Sequence, residues 1–164
     1  MSTIQDVASH LDLRAQIETL MADYVHCIDD DRLEELPGYF EERGSYRVVT
    51  RENHDLGLPV SLIYCDGRNM LADRISALRT ANIYEPHVYC HLIGSIKLTS
   101  LNGDEITARS NFAIIRTMSE GEASIFASGR YFDRIVKHGD ELKFRERVAV
   151  IDSRRIDTLL VIPI

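Results

Sequence analysis

The side chains here with ligand or nucleophile chemistry are three cysteines, Cys27, Cys65 and Cys90, and six histidines, and their spacing limits what they can do. A two-iron cluster with mixed ligation needs two Cys and two His in C-x-H and C-x-x-H pairs. Asp29, Gly67 and Leu92 stand two positions after the cysteines, and Asp30, Arg68 and Ile93 stand three after, so neither pair exists. A mononuclear iron of the facial-triad type needs two His and a carboxylate converging on one ion. His87 and His91 would meet on a helix, but Pro86 turns the chain extended, and on a strand four residues span about 13 Å. One buried and one surface histidine are expected instead. An odd number of cysteines in no tight pattern reads as reduced thiols packed as small hydrophobes. No metal, cofactor-binding or catalytic residue is therefore assigned.

His26, Cys27, Asp29 and Asp30 crowd one helical turn and could hold a metal or move a proton. Asp29 to Asp31 also precede a second helix start, where carboxylates favour the positive end of the dipole. Capping is the expectation there. No glycine spacing matches G-x-G-x-x-G, G-x-x-x-x-G-K or G-x-S-x-G, which excludes phosphate cradles and serine elbows of those types.

These residues need a frame, and 164 residues suit a single domain spanning 1–164 with one substantial core. A net charge of −7 without a basic stripe argues against nucleic acid. Met1 to Ser9 lacks the pattern of a signal peptide, and no apolar run reaches the about 20 residues of a membrane helix. A cytoplasmic protein with no membrane contact is expected.

The period of the apolar residues sets the elements. Leu13, Ile17, Leu20, Met21, Tyr24 and Ile28 mark a helix over about Leu11 to Asp29. A shorter helix through Leu33 and Leu36, capped by Asp30 or Asp31, should break at Pro37-Gly38. Tyr46 to Thr50 and Leu58 to Cys65 read as strands joined across Asn53 to Gly57. A helix with Met70, Leu71, Ile75 and Leu78 on one stripe follows, with Asp66 as N-cap. Four strands remain: Val88 to Leu101, Glu105 to Met118, Ala123 to Lys137 and Leu142 to Ile151. Asn102-Gly103 suits a type I′ turn, and Glu120-Gly121 and His138-Gly139-Asp140 mark the other two. KFRERV, from Lys143 to Val148, reads as the solvated face of a strand alternating with Leu142, Phe144 and Val148. Long hairpin-linked strands with helices on one face make the class α+β.

The ending from Ile156 to Ile164 is apolar without alternation. It suits either a last strand inside the core or a tail at a subunit contact. Arg154 and Arg155, beside Asp152 and Asp157, could pair with acids on a partner chain.

DGRNMLADRISALRTANIYEPHVYCHLIG (Asp66 to Gly94), the spaced Tyr24, Asp29, Phe40 and Tyr46, FASG, and the ending ERVAVIDSRRIDTLLVIPI resemble the small (beta) subunits of Rieske-type aromatic-ring-hydroxylating dioxygenases. The terephthalate, salicylate and anthranilate oxygenase small subunits are the nearest in look. The resemblance spans nearly the whole chain. It implies an NTF2-like (cystatin-like) cone, with N-terminal helices packed on a curved, mainly antiparallel sheet. It also implies a non-catalytic structural subunit supporting an alpha subunit that carries a Rieske 2Fe–2S cluster and a mononuclear non-haem iron. Copies of the beta subunit would touch one another in an α3β3 hexamer, and a reductase or ferredoxin would feed electrons to the alpha subunit. The family's apolar tail tilts the ending toward a subunit contact. Other relatives of the fold use Tyr, Asp and His in the cone as acid and base, which makes Tyr24, Asp29 and His91 the candidates for a stand-alone isomerase or dehydratase.

Overall fold

The computed structural model describes residues 4–153 and 160–164, with side chains described from His10 onward. Arg154, Arg155 and the start of the apolar ending, through Leu159, lie outside the described residues. Helix α1 (Ile4–Asp29) buries Ile17, Leu20, Met21, Tyr24, Val25 and Ile28, the i, i+3, i+4 stripe that its sequence requires. A 3₁₀ helix, Leu33–Tyr39, follows with Pro37 inside it and no side-chain cap. The expected Asp30 or Asp31 cap is not formed. Asp31 takes a positive φ of 57°, and Arg79 donates to both of its carboxylate oxygens and to its carbonyl, so that carboxylate is already engaged.

Strand β1 (Phe40–Thr50) starts well before the expected Tyr46, because Gly44 interrupts the alternation that marks a strand. A Cβ there would stand 2.6 Å from the Phe144 carbonyl oxygen, so glycine is what lets the backbone pass. The short helix α2 (Arg51–Asp55) is capped by Thr50, whose hydroxyl accepts from the Asn53 N–H. Strand β2 (Ile63–Asp66) is shorter than the expected Leu58 to Cys65, and Pro59 in that stretch has no N–H to give a ladder. Helix α3 (Arg68–Thr80) buries Leu71, Ile75 and Leu78. Met70 is exposed instead, and its sulfur accepts from the Asp66 N–H. Asp66 ends β2 opposite Ser45, and Gly67, at φ 94°, stands at the N-cap position without a side-chain bond.

Strands β3 (His87–Asn102), β4 (Glu105–Met118), β5 (Ala123–His138) and β6 (Glu141–Ile151) match the expected four to within a residue at each end. The six strands form one curved sheet in the order β2-β1-β6-β5-β4-β3, antiparallel except for β1 beside β6. The β3–β4 turn corrects the type I′ expectation. Asn102 pairs with Glu105, and Gly103, the first central residue, has the turn's one positive φ, 61°; a type I′ turn needs two.

Leu160, Val161, Ile162 and Ile164 are buried in the chain's own main core together with α1 and the sheet. They form no strand. For these residues the tilt toward a subunit contact is corrected: Arg74 donates to the Leu160 carbonyl at 3.0 Å and two tyrosines hold Ile164, so the segment folds back over its own chain.

Candidate functional site

Strand register gathers polar side chains in the core. Ala108, Asp133, Arg147 and Tyr46 stand side by side across β4, β5, β6 and β1, and Ser110, Tyr131, Ala149 and Val48 form the adjacent row. Residues two apart on a strand share a face, so Tyr131 and Asp133 look into the same space. Ser110, Tyr131, Asp133, Arg147 and Tyr46 are all buried.

Arg147 dominates this space. Its Cζ lies 3.9 Å from the Tyr131 ring centroid, 4.1 Å from Tyr24 and 4.4 Å from Phe144. Three ring faces around one guanidinium replace part of the lost hydration. Nε is 3.3 Å from Asp133 Oδ1. Among the described residues, no nitrogen of Arg147, neither oxygen of Asp133, and neither the Tyr131 nor the Ser110 hydroxyl has a hydrogen-bond partner. Burial pushes the Asp133 carboxyl up to about 6, with Arg147 opposing. Burial likewise raises Tyr24, Tyr46 and Tyr131 well above the usual tyrosine value, which keeps them as neutral donors.

The reading of KFRERV as a solvated face is corrected here. Opposite the bulge between Phe40 and Ser45, Phe144 and Glu146 of β6 are the successive partners, and the β5 pairing shifts at the same place. One extra residue in a strand reverses which side chains face inward. Phe144 and Arg147 therefore both point into the core, while Val148 joins Val49 and Val150 in a separate cluster. Gly44, isolated among strand residues, was the one sequence sign of that bulge.

Tyr24, Asp29 and His91 do not come together as a set. The Tyr24 hydroxyl donates to the Ile164 main-chain oxygen at 3.2 Å, and Tyr46 donates to the same oxygen at 2.8 Å. The Ile164 N–H in turn donates to the Tyr46 oxygen. Asp29 does meet His91: Oδ2 accepts from the His91 backbone N–H at 2.8 Å, and Nδ1–H of the ring donates to Oδ1 at 2.5 Å. This overturns capping as the role of Asp29; its carboxylate ties the end of α1 to β3. Nε2 of His91 is buried without a partner among the described residues. A cleft of about 270 Å³ beside the pair is lined by Asp29, Tyr84, His87, Tyr89 and Ile162 among others.

The remaining ligand-type residues scatter. His87 Nδ1 sits 2.7 Å from the Glu85 carbonyl. Cys27 donates to the Arg32 carbonyl, and burial pushes its thiol up to about 11 and raises Cys65 as well. Cluster iron takes thiolates, which these settings disfavour. Cys90 is exposed. Among the described residues, no group of three or more His, Cys, Asp and Glu is placed to hold a metal, and no helix is long and apolar enough to cross a membrane. Among the described residues, the donor set does not fit an iron–sulfur cluster or a facial-triad iron.

Residues 25–158 match the family model described as ring hydroxylating beta subunit. The anthranilate 1,2-dioxygenase small subunit of Burkholderia cepacia is 38% identical over 149 residues, 91% of this chain and 92% of that protein. Subunit beta 2 of the terephthalate 1,2-dioxygenase terminal oxygenase component of a Comamonas species is 40% identical over 149 residues, covering 91% and 97%. Among solved structures, the beta subunit assigned to an aromatic-ring-hydroxylating dioxygenase of Novosphingobium aromaticivorans superposes with a TM-score of 0.87. It is 38% identical, over 95% of this chain and 99% of that one.

Proposed function

The chain belongs to the ring-hydroxylating beta-subunit family, and from that membership we propose that it is the supporting small subunit on which an iron-bearing alpha subunit assembles to hydroxylate an aromatic ring. The observation that carries this reading is the family match over residues 25–158, joined by relatives at about 40% identity along nearly the whole chain. The alpha subunit supplies the Rieske 2Fe–2S cluster and the mononuclear iron, and a reductase or ferredoxin delivers electrons to it. Three copies of each chain form an α3β3 hexamer in the cytoplasm. Anthranilate and terephthalate, named for two relatives, are both aromatic carboxylates, so a benzoate-type acid is the substrate class. This chain's part is stability and alignment. A stand-alone enzyme working through Tyr24, Asp29 and His91 is the weaker reading, because the Tyr24 hydroxyl is committed to Ile164 rather than to the Asp29–His91 pair.

Co-expression with a neighbouring gene whose product carries the C-x-H and C-x-x-H pairs tests the proposal. One complex containing both chains is expected by light scattering after size exclusion, with iron and ring-hydroxylating activity present only when both are there. Stoichiometric iron in the purified lone chain, or turnover of a small substrate by it that disappears in Asp29→Asn, would overturn the reading.

A further inference from the structure

We propose that the interior of the cone is a binding site for a small aromatic carboxylate, filled in this structure by the chain's own residues 160–164 and entered when that segment swings out. Two of the recognising hydroxyls converge on one atom. The Ile164 main-chain oxygen takes hydrogen bonds from Tyr24 at 3.2 Å and Tyr46 at 2.8 Å, and the fully buried Arg147 stacks on that same Tyr24 ring. A guanidinium offers donors only, in a fork that matches a carboxylate. Asp133 lies on its Nε side, and its two terminal nitrogens have no hydrogen-bond partner among the described residues. The Ser110 and Tyr131 hydroxyls in the neighbouring row are likewise unpartnered and fully buried. Such groups are strong reasons for a polar guest, since each buried orphan is costly.

The walls fit an aromatic body. Tyr24 meets Phe144 edge-on at 5.5 Å, Phe40 packs on both Tyr24 and Tyr46, and Phe112 stacks on Tyr131 at 4.4 Å. A flat ring with a carboxylate would present its edge to these faces and its oxygens to Tyr24, Tyr46 and Arg147.

The present occupant is neither helix nor strand, unlike the other fully described buried residues of this core. It is tied to the described residues through the Ile164 contacts and the Arg74 bond to Leu160. Its apolar side chains still hold it in place, so the open state is a minor one and the ligand's apparent affinity falls by that fraction. Loosening the segment must therefore tighten ligand binding.

Full-length protein, Ile162→Ala and Tyr46→Phe are titrated calorimetrically with benzoate and with benzyl alcohol. Ile162→Ala removes seat contacts of the segment while leaving every proposed ligand contact; it should raise benzoate affinity at least tenfold. Tyr46→Phe keeps the ring and loses a hydroxyl that serves Ile164 and the ligand alike; combined with Ile162→Ala, whose segment is already loosened, it should abolish that gain. Hydrogen exchange supplies a readout that surface adsorption would not move: saturating benzoate should speed exchange of the Val161, Ile162 and Ile164 amides at least tenfold. Unchanged or slower exchange overturns the proposal. So does equal binding of benzyl alcohol, which would mean a greasy cavity without carboxylate recognition, or no benzoate binding by a folded Ile162→Ala protein. If Ile162→Ala does not fold, the exchange experiment on the unsubstituted chain decides alone.

Discussion

Asp29–His91 and Asp133–Arg147 are two pairs in which a carboxylate meets a nitrogen side chain inside the fold, and they are satisfied in opposite ways. Asp29 uses both oxygens, one on a backbone N–H and one on a ring N–H of the same residue, and its own side chain is 15% exposed. The side chains of Asp133 and Arg147 are each wholly enclosed, and neither side chain forms a hydrogen bond with a described residue. The first pair is a directional tie between a helix end and an edge strand. The second is a charge pair held by register and ring faces, in a place where an apolar core would satisfy every atom. A fold optimised for stability alone would not keep the second arrangement, because replacing such a pair by apolar groups is often neutral or stabilising.

The largest effect expected from this contrast is at Arg147. Arg147→Met leaves Asp133 enclosed without its counter-charge and should lower unfolding stability by about 3–5 kcal/mol. Adding Asp133→Leu should recover much of that loss, since both buried charges are then gone. Urea unfolding of the two variants measures this. A single substitution within about 1 kcal/mol of the parent would mean that Arg147 is hydrated and the pair is not the closed system described.

The next effect is a pH dependence with a definite sign. Burial raises Asp133 from 3.8 to about 6 in the folded chain, so the native state holds this proton more tightly than the unfolded one. The stability contributed by this group is fully present below pH 3.8 and is lost as pH rises through about 6. The swing is roughly 3 kcal/mol, since each tenfold gain in proton affinity on folding contributes about 1.4 kcal/mol. Urea midpoints taken from pH 4 to pH 7 should carry a falling component that Asp133→Asn removes. An identical slope in the variant would show that Arg147 holds the carboxylate ionised throughout.

Sequence patterns reached the elements and stopped at the site for a physical reason. The helical stripes and the β3 to β6 boundaries were legible because they depend on local period and on Gly103, Gly121 and Gly139 at the turns. FASG also has a local rationale: a Cβ on Gly129 would lie 2.0 Å from the Val150 carbonyl oxygen, so β5 and β6 approach there only through glycine. Arg147 was placed on the wrong face because facing depends on parity, and the bulge opposite Gly44 reverses parity with no change in composition. Asp29 and His91 were both named as candidates, yet their contact, 62 residues apart in sequence, is a product of how α1 crosses β3. The return of Ile164 to Tyr24 and Tyr46 is longer-range still, and an apolar run by itself does not say which apolar surface it covers.

The smallest effect belongs to the well-satisfied pair, and it is the one that separates geometry from charge. Asp29→Ala strands the His91 N–H and its ring donor in the core and should cost about 1–3 kcal/mol. Asn at the same position can still accept from the His91 backbone N–H through its amide oxygen, and its NH₂ can donate to Nδ1 of the other tautomer. Asp29→Asn should therefore recover more than half of the alanine loss, measured by thermal or urea unfolding at one pH. If asparagine is as damaging as alanine, the tie depends on the charge of Asp29 and not on the direction of its hydrogen bonds. If it rescues, directionality holds the helix to the strand at Asp29, in contrast with Arg147 and Asp133, whose side chains meet with no hydrogen bond among the described residues.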